Sequence, residues 1–353
     1  MDLLKTTISG IGLPDEQAAA AARRRMDSLT KPRGSLGRLE DLAVRLCGIS
    51  GVTGPVLKNK VIFTLAADHG VTAEGVSPYP KEVTAQMVYN FLNGGAAINV
   101  LAAHCGARVV VADFGVAVDL KADSGLARKK VKYGTDNIAE GPAMTREEAL
   151  LSVCRGIELF DEEFRRGIDI AGTGEMGIGN TTASSAIAAI LTASEVEKVT
   201  GRGAGLDEKG LGRKVGVIKK AIAVNAPDPA DPLDVLAKVG GLEIGGLTGV
   251  ILAASRRRVP VLIDGFISGA AALLAFALEP KSAAFMIAAH NSVENGHAVI
   301  LKHIGIEPLL DLGMRLGEGT GAALAMGLAD ASLKVLREMA TFGGAGISEK
   351  SDA

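Results

Sequence analysis

Four short apolar runs, VIFTLAADHG (61–70), ARVVVADFG (107–115), GIDIAGTG (167–174) and VPVLIDGF (259–266), each lead straight into glycine. Runs apolar at nearly every position, rather than at alternate ones, suit strands buried on both faces, as a parallel sheet between helical layers requires. The helix-like segments KEVTAQMVYNFLN, TREEALLSVCRGIELFDEEFRRG and NTTASSAIAAILTA lie between them. This alternation predicts an α/β fold, a three-layer α/β/α parallel sheet of Rossmann-like arrangement. Residues 1 to about 55 are polar and helical in pattern, and from about Ser282 the strand signal stops. The expectation is a large α/β substrate-binding domain over 59–281 and a smaller helical domain built from 1–58 and 282–353.

Composition narrows the partners. Lys plus Arg (38) nearly equals Asp plus Glu (40), and aromatics are 3% with no Trp. Neither the basic excess nor the stacking platforms of a nucleic-acid binder are present. The three scattered cysteines, Cys47, Cys105 and Cys154, imply a reducing compartment and no disulfide framework. The N-terminus lacks the basic and apolar regions of a signal peptide. The most apolar stretch, 261–278, carries Asp264, Gly265, Ser268 and Gly269 and fits strand–loop–helix better than a membrane span. A cytoplasmic enzyme of small-molecule substrates, with no membrane partner, is expected.

Three strand ends carry Asp beside glycine: Asp68, Asp113 and Asp264. Carboxyl ends of parallel strands line the ligand crevice in open sheets, although Asp there also caps helices or braces turns. The stretch GTGEMGIGNTT (172–182) lies between a strand and an apolar helix, a geometry suited to holding an anion. Around phosphate and ribose we expect Gly174, Gly177, Gly179, Asn180 and Thr181, with Asp264 nearby. The same stretch contains a superficial G-x-G-x-x-G (Gly172, Gly174, Gly177), but Glu195 and Glu197 do not mark the acidic strand end that a dinucleotide fingerprint wants. A second glycine-rich stretch, GRGAGLDEKGLGRK, offers Gly203 and Lys214 to a phosphate, or is a flexible surface loop. His290 and His297, with Glu294 between them, share one face if helical, yet no ligand spacing supports a metal. Glu318, set between two glycines ahead of an apolar helix, is either a desolvated general base or a favourable first-turn carboxylate.

Together these stretches resemble one family, the nicotinate-nucleotide–dimethylbenzimidazole phosphoribosyltransferases of cobalamin nucleotide-loop assembly. The resemblance runs through KPRGSLGRLEDLA, AADHGVTAEGVSPYPKEVTAQMVYNFLNGGAAINVLA, AGTGEMGIGNTTASSAIAA, GRGAGLD, VLIDGFISGAAALLA and EPLLDLGMRLGEGTGAALAM, in the family's order. Arg33, Asn291 and Val293 depart from its usual wording. The resemblance implies a homodimer that transfers 5-phosphoribose from nicotinate mononucleotide to 5,6-dimethylbenzimidazole, with no cofactor and no metal. It implies Glu318 as catalytic base and Glu175 as the acidic residue beside the ribose. Gly177, Lys214 and Ser292 fall on the phosphate side, and Ser77, Tyr79, Gln86, Met87 and Leu316 in the stretches lining the base pocket. Two other readings compete: an NAD(P)-dependent oxidoreductase, and a non-catalytic nucleotide-binding module.

Overall fold

The computed structural model describes residues 2–121 and 125–348. Its sheet has six strands: β1 (Lys60–Ala67), β2 (Ala107–Gly115), β3 (Leu126–Arg128), β4 (Ile170–Met176), β5 (Val261–Ile263) and β6 (Met286–Ala288). Every pairing is parallel, and the spatial order is β3-β2-β1-β4-β5-β6. The order reverses between β1 and β4, and the crevice outside the carboxyl ends at such a switch point is where open sheets bind ligands.

Side chains alternate across a strand, and β1 shows the two covered faces. Phe63 and Leu65 point to one side, where Phe63 meets Phe160 of the helix Arg146–Phe164 with ring centroids 5.7 Å apart. The helix Leu242–Arg256 packs on that helix and on the same face of the sheet. Thr64 faces the other way, toward the segment that begins the helix Thr320–Glu338. That helix and Ala97–Cys105 cover the second face. Helix starts follow local chemistry: Thr145 accepts the amide of Glu148 at 3.1 Å while Glu148 accepts the amide of Thr145 at 2.9 Å. Such a reciprocal cap contributes about 1 kcal/mol.

Three expectations change. The run GIDIAGTG does not stop at its glycines: β4 continues through Met176, so Gly172 and Gly174 are strand residues and only Gly177–Gly179 turn. The sheet also extends past residue 282, because β6 pairs with β5; a three-residue strand inside an Ala-rich stretch has too little periodicity to show. The short edge strand β3 was likewise not foreseen. At the chain ends, Arg38–Ser50 packs on both Glu16–Asp27 and Thr320–Glu338, and the last of these also lies on β4 and β5. The terminal helices are therefore tied to the sheet itself. Among the described residues no helix is long and apolar enough to cross a membrane; the apolar stretch forms β5 and the helix Phe266–Leu278, which is buried in the core.

Candidate active site

A cavity of about 500 Å³ opens at the carboxyl ends of β4, β5 and β6. The backbone at its floor explains its shape. Gly317, Glu318 and Gly319 have φ of 84°, 63° and 99° in succession. For Glu318, which has a Cβ, that left-handed conformation costs about 1–2 kcal/mol. Three strands hold it in place. Thr64 of β1 donates its hydroxyl to the Glu318 carbonyl at 2.9 Å. Asp264, just beyond β5, accepts the amides of Gly319 at 3.3 Å and Ala322 at 3.0 Å. Gly174 of β4 lies directly beneath, so close that a methyl group there would run into the carbonyl of Glu318. A glycine in a central strand often marks such a close approach of another backbone.

The Glu318 carboxylate is buried and accepts the amide of Ile98 at 3.2 Å, in the first turn of the helix Ala97–Cys105. It therefore sits ahead of its own helix and at the N-terminus of another. Burial pushes its pKa up; the Ile98 hydrogen bond pulls the other way, and the Asp264 charge adds to the rise. Glu175, the last but one residue of β4, is buried beside it and accepts the side-chain amide of Asn180. Burial and then the negative charge of Glu243, with Asp264 and Glu318, push its pKa up to about 8, against the Asn180 bond.

Of the residues singled out in the sequence, Glu175, Gly177, Gly179, Asn180, Thr181 and Gly203 line this cavity, as do Ser292 and Glu318. So do Ser77, Tyr79, Met87 and Leu316. Four are placed otherwise. Gly174 supports the floor from below. Asp264 caps the helix Thr320–Glu338 instead of facing the cavity, and an acidic residue is favourable there. Gln86 is exposed: on the helix Val83–Leu92, Val83 and Met87 face the cavity and Gln86 is turned about 100° from Met87. Lys214 stands one layer behind the lining, in the helix Glu208–Asn225, with its ammonium donating to Thr181 Oγ1 at 2.8 Å and to the Gly201 carbonyl at 3.3 Å. Burial lowers its pKa to about 8, against the attraction of Glu294. The second glycine stretch is thus half helix.

The glycine turn offers fewer free amides than its sequence suggests. The amide of Ile178 already bonds Thr84 Oγ1 at 3.1 Å, and those of Asn180 and Thr182 bond the carbonyls of Gly177 and Gly179. Cationic help comes from Lys214 and from Arg315, which lines the cavity and donates to the Gly203 carbonyl at 3.1 Å. Arg315, Phe266, Ile267, His290 and Glu294 were not picked out as cavity residues. The first is one basic residue in an irregular segment, Phe266 and Ile267 open the helix after β5, and His290 and Glu294 lie on the loop after β6. His290 and His297 do not share a helical face, because the helix begins at Asn295; their rings are 6.0 Å apart. His297 accepts the amide of Ser292 at 3.0 Å, and burial with the charge of His290 lowers its pKa to about 3. Among the described residues no group of three His, Cys, Asp or Glu side chains is placed to hold a metal ion.

The dinucleotide reading loses its support in this geometry. Two of its three glycines lie inside β4, and Glu195 and Glu197 are exposed beside a four-residue helix, at no strand end. The Asp residues after the strands divide as well: Asp264 underlies the floor, whereas Asp113 accepts the amide of Val116 and the ammonium of Lys130 outside the cavity.

Comparison with known proteins agrees with this geometry. A family model described as a phosphoribosyltransferase matches residues 11–347. The nicotinate-nucleotide–dimethylbenzimidazole phosphoribosyltransferase of Desulforudis audaxviator is 59% identical over 349 residues, covering 99% of both chains. That of Chloroflexus aurantiacus is 57% identical over 350 residues, covering 99% of this chain and 100% of the relative. A crystal structure of the Thermus thermophilus protein of the same name superposes with a TM-score of 0.90 at 45% identity, over 95% of this chain and 100% of that one.

Proposed function

The chain belongs to the nicotinate-nucleotide–dimethylbenzimidazole phosphoribosyltransferase family, and on that premise we propose that it transfers 5-phosphoribose from nicotinate mononucleotide to 5,6-dimethylbenzimidazole. The products are α-ribazole 5′-phosphate, destined for the lower ligand of cobalamin, and nicotinate. The observation that carries this reading is Glu318: a buried carboxylate, lining a cavity large enough for two small ring systems, in a conformation its own backbone would not choose.

The chemistry asks for one such group. The nicotinate nitrogen is already a cationic pyridinium, so it leaves C1′ with the bonding electron pair and needs no proton. The attacking benzimidazole must lose one: its N–H proton passes to the Glu318 carboxylate as the other ring nitrogen bonds to C1′. A carboxyl with a raised pKa is a better acceptor for that proton than an exposed one. Attack from the face opposite the leaving group inverts the centre and turns a β-nucleotide into an α-product. Positive charge spreads over C1′ and the ribose oxygen in the transition state, and the acidic floor of Glu175, Asp264 and Glu318 favours it. Lys214, Thr181, Gly203, Ser292 and Arg315 supply the phosphate side; Ser77, Tyr79, Met87 and Leu316 supply the wall for the base. A homodimer is the corresponding assembly, which light scattering reads directly.

Incubation with nicotinate mononucleotide and dimethylbenzimidazole should yield α-ribazole 5′-phosphate and nicotinate in equal amounts. Absence of both products, or hydride transfer with NAD(P) in their place, overturns the reading.

A further inference from the structure

Behind the turn Gly177–Gly179 lies a buried ion pair that the reaction as written does not use. His69 Nε2 is 2.7 Å from Glu243 Oε1, both side chains are nearly solvent-free, and 174 positions separate them. The pair is wedged against the turn. A methyl group at Gly177 would fall 3.3 Å from both Glu243 Oε1 and His69 Cδ2, and one at Gly179 would fall 3.4 Å from His69 Cβ. The second oxygen of Glu243 is buried with no hydrogen-bond partner, so its charge is not spent on donors. On the far side of His69 stands Asp68, which accepts the amide of Ala117 at 2.8 Å through one oxygen while the other is buried and unpartnered. A second cavity of about 430 Å³ begins there, lined by Asp68 and His69 among others. Acidic and imidazole groups thus run from that cavity, through Glu243, to Glu175 in the candidate active site.

The groups acting on Glu175 are Glu243, Asp264 and Glu318, with Asn180 as the hydrogen-bond donor. Glu243 is the strongest of the three charges. Burial works against charge on His69, but the carboxylates of Glu243 and Asp68 outweigh it and raise its pKa. His69 therefore supplies a counter-charge to Glu243 in a place where an unpaired carboxylate would be costly.

We propose that Glu243, held by His69, is a positioning residue for the phosphoribosyl transfer: it braces the Gly177–Gly179 turn and sets the charge that Glu175 carries when the pyridinium ring of the nucleotide arrives. The inference rests on the function proposed above. Beside the Glu243 carboxylate, Glu175 enters the encounter protonated; the positive pyridinium ring then favours its carboxylate, and the proton leaves for solvent as the nucleotide binds. No bond other than this O–H is made or broken at that stage.

Calorimetric titration of the enzyme with nicotinate mononucleotide, in two buffers of different ionisation enthalpy, reads this proton. At neutral pH the wild type should release about one proton on binding. Glu243→Gln removes the like charge, lowers the Glu175 pKa, and should release markedly less; Glu243→Asp should behave as the wild type. Equal release by wild type and Glu243→Gln, with only a uniform loss of affinity, overturns the proposal in favour of a purely structural brace. If Glu243→Gln does not fold, His69→Gln serves: a buried carboxylate left without its cation is held neutral, so proton release at neutral pH should fall as in Glu243→Gln, and an unchanged release overturns the proposal. Failure of the wild type to bind the nucleotide at all would instead sink the proposed function.

Discussion

The two halves of the sheet end in acidic residues of the same kind and surround them differently. At the end of β2, Asp113 is held by the Val116 amide at 2.9 Å and by Lys130 at 3.2 Å, and just beyond β1, Asp68 is held by the Ala117 amide. At the end of β4, beside β5, Glu175 has a single side-chain amide as donor and three carboxylates around it. Burial raises the pKa of Asp113 too, but there a lysine and backbone amides oppose it; around Glu175 nothing cationic does, and its value reaches about 8. A carboxylate at a strand end is thus a brace where a cation and amides meet it. Where other carboxylates surround it, its proton is held to higher pH. Strained protonation of this kind clusters at functional sites.

The sharpest way to break the comparison is to neutralise one carboxyl on each side. Glu318→Gln should lower kcat by about 10²–10⁴-fold with nucleotide affinity little changed, whereas Asp113→Asn should leave kcat within a few-fold. Steady-state kinetics and a binding titration on both variants decide it; comparable losses in kcat would erase the distinction.

Lys214→Met comes next. Losing a charged hydrogen-bond donor should raise KM for nicotinate mononucleotide by about 10–100-fold and leave KM for the benzimidazole nearly unchanged. Because the Lys214 pKa lies at about 8, the wild-type KM for the nucleotide should rise as pH passes through that value. The variant should lack this rise.

Glu175 makes a third test, on stability. Its pKa is raised from 4.5 to about 8 on folding, so the folded chain holds the proton more tightly than the unfolded one. The stabilisation is complete below 4.5 and is lost as pH rises toward 8. Denaturant titrations should show the wild type weakening across that window relative to Glu175→Gln, with Glu175→Gln the more stable of the two above pH 8. Parallel curves would mean that Glu175 titrates normally. The smallest effect belongs to the other side of the sheet: Asp113→Asn should lower stability by only about 1 kcal/mol, since the Lys130 pair is partly open to water.

How much of this the sequence displayed depends on the distance over which each feature is made. The long strands and the motifs around Glu175 and Glu318 are local, so glycine spacing and apolar runs exposed them. What β4 does with Gly172 and Gly174 is not local: glycine reads as a turn until the backbone of Glu318 is seen lying against the strand. The His69–Glu243 pair is invisible for the same reason, each residue being ordinary in its own stretch. Asp264 faced a crevice by its position, but the N-terminus of a helix more than fifty residues later takes both its oxygens. Arg315 and Glu294 reach the cavity only because β5 and β6 order the sheet around it.

The close approach of Gly174 to Glu318 also divides what lineages of this chain are free to change. Any side chain at that floor displaces Glu318, the proton acceptor proposed above, by roughly an ångström, and shifts of that size at a reacting centre can cost about 10²-fold. Tyr79 and Leu316, by contrast, are 52% and 59% exposed and rise from irregular segments at the cavity wall. On the proposed function, descendants can therefore retune which flat nitrogenous ring is accepted by altering the wall alone, inheriting the proposed proton acceptor untouched.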